Sequence, residues 1–157
     1  MRGILARVDD ARAQGRDLAG AVEAAIASWV ERGVDERYRA WMGEPPAEVA
    51  EAARAAGAAA RADVGPRLRA LLEADIDDQR TTPLAIVREA VTYPTRVLAE
   101  ARVPAVVRDR FDEERFPNDI YDLTPATFSD LGPEVADSAI AWGAAKAWEH
   151  RRRHGSG

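Results

Sequence analysis

The sequence predicts an all-α protein, and three observations carry that reading. Apolar side chains recur at three- and four-residue spacing over long stretches. Much of the apolar share, 46% of the chain, is alanine, which favours helix and adds little area to a core. Strand signals are weak throughout: the chain has no Asn-Gly or Asp-Gly turn and no sustained alternation rich in β-branched residues. The expected architecture is an orthogonal or irregular bundle of about six to eight helices, in one domain over 1–154 with a disordered tail at 155–157.

The elements follow in order. Ile4, Leu5, Val8 and Ala11 form a first stripe, either a separate short helix or the opening turns of a longer one. Leu18, Ala21, Val22, Ala25, Ile26, Trp29 and Val30 share one helical face, and Gly33 is a plausible stop. Tyr38, Trp41 and Met42 extend the apolar material up to Gly43-Glu44-Pro45-Pro46, the firmest break in the N-terminal half. Pro46 opens a long alanine-rich helix through Val49, Ala52, Ala53, Ala56, Ala59 and Ala60. Gly65-Pro66 kinks or interrupts this helix before Leu68, Leu71 and Leu72.

The second half is punctuated by X-Pro pairs, which predict short proline-started helices at 83–92, 94–102, 104–112 and 125–131, with Thr82 and Thr124 as N-caps. Glu113–Leu123 is the least regular stretch. The last helix starts near Pro133 and runs to about Arg153. Val135, Ala139, Ile140 and Trp142 cover one side of it, and Ala141, Ala144, Ala145 and Trp148 much of the other. A helix apolar on two sides is expected to pack on two sides, which places it centrally, with Gly143 at a close crossing.

Composition limits the chemistry. The absence of cysteine excludes disulfides, thiolate metal sites and cysteine nucleophiles. Net charge is −5 without a clustered basic run, so nucleic acid is not expected as a partner. Charges among the first ten residues do not fit a signal peptide, and no stretch approaches the roughly 20 apolar residues of a membrane span. A cytoplasmic protein without a membrane partner is therefore expected.

Candidate sites are few. His150 and His154 share a helical face but lack a third ligand, so no metal site is assigned. Lys146, the sole lysine, lies on an otherwise apolar stretch, where its stem packs and its ammonium reaches water. Asp109, Asp112, Glu113, Glu114, Asp119 and Asp122, with Arg110 and Arg115 among them, are the densest charge feature. They lack the calcium-loop pattern and form a solvated helix end held by Phe111, Phe116 and Tyr121 as core anchors. Arg80 precedes Thr81-Thr82-Pro83, where Thr82 capping explains the residues without an anion. No serine sits in a nucleophile elbow and no phosphate-binding glycine loop is present. No catalytic residue and no cofactor is assigned.

The words Asp78-Gln79-Arg80-Thr81-Thr82-Pro83-Leu84, Tyr93-Pro94-Thr95, Phe116-Pro117, Tyr121-Asp122-Leu123-Thr124-Pro125 and Trp142-Gly143-Ala144-Ala145-Lys146-Ala147 resemble small uncharacterised helical proteins of high-GC bacteria. The resemblance covers about residues 75–148 and implies no activity, cofactor or site residue.

Two functional expectations follow. The first is a non-enzymatic helical protein working through a protein partner or self-association, with Trp41 and Trp148 as partner-surface residues. The second is a small-ligand binder or enzyme with a pocket between the 80–125 segment and the C-terminal helix, drawing on Arg80, Tyr93, Asp119, Tyr121 and Lys146.

Overall fold

Leu18, Val22, Ile26, Val30, Val34 and Tyr38 are all buried, and each lies four residues from the last. In the computed structural model, which describes residues 2–74 and 83–155, they lie on one unbroken helix, α1 (Arg2–Met42). The stripe therefore continues past Gly33 rather than stopping there, because Val34 and Tyr38 still have core to enter. Steps of four residues at 3.6 per turn advance about 40° each, so the buried line winds about 200° around α1 from Leu18 to Tyr38. The two ends of α1 consequently face different neighbours, which explains why the core divides into two clusters.

The turn at Gly43, with φ +85, returns the chain into α2 (Ala47–Glu73), with Pro46 at the N-cap. Pro66 lies inside α2 and the helix runs on through it. Pro66 supplies no N–H to the Ala62 carbonyl, but both residues are exposed, so water can take the freed carbonyl. The α1–α2 hairpin closes where Gly57 meets Ala27: a Cβ on Gly57 would stand 2.8 Å from the Ala27 carbonyl oxygen. Gly15 makes a second close approach, its would-be Cβ lying 3.2 Å from the Leu72 carbonyl oxygen.

The expected pair of helices at 83–92 and 94–102 is one rod. α3 (Pro83–Arg88) passes through a 3-10 turn (Glu89–Val91) into α4 (Thr92–Glu100). Pro94 falls in the first turn of α4, directly after the 3-10 turn, and the helical path continues through it. The rod ends at Arg102, with φ 61. The Arg102 N–H donates to the Ala99 carbonyl and the Val103 N–H to the Leu98 carbonyl, both at 3.0 Å, with Leu98 and Val103 buried. This is a Schellman ending with arginine where glycine is usual.

The helix expected at 104–112 is not formed: the chain is extended until α5 (Arg110–Arg115). The Val106 N–H donates to the Ile120 carbonyl at 3.0 Å, which holds the segment open. Nor does Thr124 cap a helix at 125–131. A 3-10 turn spans only Phe128–Leu131, capped reciprocally by Thr127 and Asp130. α6 (Pro133–His154) starts at its expected proline. With α3 and α4 counted as one rod, the described residues form five helical rods, below the six to eight expected, and include no strand.

α6 is not central. It packs against α1 and the Phe128–Leu131 turn, and only Val135 and Glu149 on it are buried. Ile140 is 71% exposed, and a Cβ on Gly143 would meet nothing within 4 Å, so no crossing occurs there. The physical reason is alanine: an alanine face scores as apolar yet exposes only methyls, so water tolerates it.

One core cluster gathers Leu18, Val22, Ile26 and Val30 with Val64, Leu68, Val87, Leu131 and Val135. The other joins Val34 and Tyr38 to Ala53, Val97, Leu98, Val103 and Tyr121. Thr82, Arg80 and all of 75–82 lie outside the described residues, as do 156–157; Gly155, the first residue of the expected tail, caps α6. None of the helices described is long and apolar enough to cross a membrane.

Candidate functional site

Two tethers shape the loop after α4. Tyr121 is buried and its hydroxyl donates to the Val103 carbonyl at 2.7 Å. The buried Asp119 carboxylate accepts from the Leu123 N–H at 2.9 Å and from both the Thr124 N–H and hydroxyl at 2.6 Å. Charge-assisted bonds of this kind are the strong ones, and here they convert a sequence rich in turn residues into an ordered loop.

Within the span closed by the Tyr121–Val103 bond stands α5. The Asp109 carboxylate caps it by accepting from the Asp112 N–H at 2.8 Å, and Arg110 pairs with Glu114 at 3.0 Å. No residue of α5 is buried. Phe111, expected as a core anchor, is 64% exposed, and Val107 is fully exposed. α5 is capped and tethered at both ends of its loop without burying its aromatic residue. Phe116 is half-buried and only Tyr121 of the three expected anchors reaches the core.

A cleft of about 290 Å³ lies between the α3–α4 junction and this loop, with Arg88, Val91 and Thr92 on one side and Arg115, Phe116 and Asp119 on the other. Three arginines converge on Phe116. The Arg115 guanidinium lies 5.0 Å from its ring centroid and the Arg88 guanidinium 5.8 Å away, while Arg108 donates to its carbonyl at 2.6 Å. Arg88 also forks onto the carbonyls of Pro125 at 3.1 Å and Ala126 at 3.0 Å. Arg115 lies a further 5.8 Å from the Phe111 ring. Among the described residues, none of the three pairs with a carboxylate, whereas Arg39, Arg67, Arg69, Arg110 and Arg153 all do.

The acids at the rim are already engaged: Glu89 pairs with Arg67, and Asp119 serves the loop. The cleft thus presents guanidinium N–H groups beside an aromatic face, a combination suited to holding anionic groups next to apolar ones.

The residues predicted for a ligand site are spread out. Asp119 lines the cleft, and Tyr121 enters the second core cluster. The Tyr93 hydroxyl donates to Asp63 on α2 at 2.9 Å. Lys146 on α6 lies 3.9 Å from Glu149, beside a hollow of about 40 Å³ that Ala11, Arg12 and Leu72 help to line. Arg80 lies outside the described residues. Of the expected partner-surface residues, Trp41 is 58% exposed, and Trp148 is partly covered, with the Arg152 guanidinium 5.6 Å from its ring. The His150 and His154 rings are 4.7 Å apart, and no group of three or more potential metal ligands occurs among the described residues. Sequence reasoning missed Arg88, Arg108 and Phe116 as site residues; the Phe116-Pro117 pair inside the charged run was the available signal.

Tyr93 and Tyr121 titrate above the ordinary 10.0, through burial in each case and additionally through the bond to Asp63 for Tyr93. A phenol pKa raised on folding adds stability that is present below pH 10 and lost as pH rises through the raised value. Ultraviolet phenolate titration of Tyr93→Phe and Tyr121→Phe variants should assign both residues to steps above 10. A step at or below 10 assigned to either would contradict these environments.

The chain matches no protein-family model, no curated protein and no solved structure.

Proposed function

We propose that this protein acts through protein–protein contacts rather than catalysis, and that the contact surface is the 104–117 segment with the cleft beside it. The observation that carries the reading is α5: a capped helix that buries none of its own residues and holds Phe111 out in solvent. Exposed aromatic side chains beside arginines are the residue types that dominate protein interfaces. Trp41 and Met42, exposed together at the tip of the α1–α2 hairpin, support a second contact patch and are the natural place to look for self-association.

The test is site-specific crosslinking in cells that naturally make the protein. A benzoylphenylalanine at position 111 should give one discrete adduct, and the same group at exposed Ala99 should give none. Equal labelling from both positions, or no adduct from position 111, would contradict the reading.

A further inference from the structure

We infer that the partner presents an acidic peptide segment, glutamate- or aspartate-rich with an apolar side chain among the acids, and that it docks at Phe116 between Arg88, Arg108 and Arg115. The inference rests on the protein-contact reading and specifies the partner's chemistry.

Three features point to this occupant. The first is unneutralised charge. Arg88 spends two of its N–H donors on backbone carbonyls and Arg108 spends one on another, while Arg115 lies over the Phe111 and Phe116 rings and forms no ion pair with the described residues. A guanidinium has five N–H donors, so each retains donors for a carboxylate, and the planar fork matches carboxylate geometry. The second is the lining. Val91 and Phe116 make the cleft partly apolar, so it accepts a carbon side chain as well as charge. The third is extent. Phe111, exposed and 5.8 Å from the Arg115 guanidinium, adds an aromatic face outside the cleft, beyond the reach of a small free anion.

The net charge of −5 works against an acidic partner at long range. Any attraction therefore has to come from the local cluster.

The experiment uses the full chain and two fluorescein-labelled decapeptides: one of glutamate and aspartate around a central phenylalanine, the other with every acid replaced by its amide. Fluorescence anisotropy should show the acidic peptide binding at least about tenfold more tightly than the amide peptide. Its affinity should fall as salt rises and drop about tenfold in Arg115→Gln, consistent with about 1.4 kcal/mol per tenfold for one lost charge-assisted contact. Because the loop tethers run through Tyr121 and Asp119 rather than Arg115, this variant retains them; circular dichroism confirms its fold.

Equal binding of the two peptides, or unchanged affinity in Arg115→Gln, would overturn the inference. So would displacement of the acidic peptide by inorganic phosphate or citrate at concentrations matching the peptide's own, which would assign a small-anion site. If position 111 crosslinks a partner while neither peptide binds, the acidic chemistry fails and the protein-contact reading stands.

Discussion

Gly57→Val is expected to destabilise the protein by about 3 kcal/mol, the upper end of the usual range for overpacking. The obstacle is backbone: a Cβ at position 57 would stand 2.8 Å from the Ala27 carbonyl oxygen and 3.2 Å from the Ala27 Cα. Neither atom can rotate away, so the α1–α2 hairpin has to open, and both core clusters draw on that hairpin. Gly143→Ala provides the control in the opposite direction. Its Cβ would meet nothing within 4 Å, so the helix gains alanine propensity of up to about 1 kcal/mol. Chemical denaturation of both variants checks the pair. A Gly57→Val midpoint equal to wild type would refute the crossing.

Asp119→Ala is expected to cost about 3 kcal/mol, which is less than the sum of its bonds because bonds sharing one acceptor group are not independent. The substitution removes the acceptor for the Leu123 N–H and for the Thr124 N–H and hydroxyl together. Asp119→Asn keeps one acceptor oxygen and should lose less. Hydrogen exchange at the Leu123 and Thr124 amides should accelerate in both variants, most in the alanine. Unchanged protection there would show that the loop does not depend on this carboxylate.

Much of the fold was legible because helical periodicity is a local property. The buried faces of α1 and the second half of α2, and the proline start of α6, all follow from spacing. What the sequence obscured has physical causes. The helix expected at 104–112 was overridden by pairing between Val106 and Ile120 and by the Tyr121 tether to Val103, contacts across 14 and 18 residues that no local pattern announces. Alanine was the second source of error: it made α6 look apolar on two sides, although a methyl face in water costs little.

The candidate site was hidden for a related reason. Read along the chain, 109–122 is acidic, and its arginines look like counterions to neighbouring acids. Folding brings Arg88 across from α3 and turns Arg108 and Arg115 toward Phe116, so a cationic cluster forms inside an acidic stretch. Asp119 was expected as a ligand-site residue; its observed contacts hold the loop that frames the cleft.

If the surface around Phe116 serves the proposed partner and contributes little to the fold, Arg115→Met leaves the stability of the protein almost unchanged. Methionine keeps carbon packed against the two rings and removes one of three neighbouring positive charges. The expected result in urea denaturation is a stability within about 0.5 kcal/mol of wild type, or higher, as for a surface substitution away from structural features. A loss of about 2 kcal/mol or more would contradict this, because Arg115 would then be part of what holds the fold together.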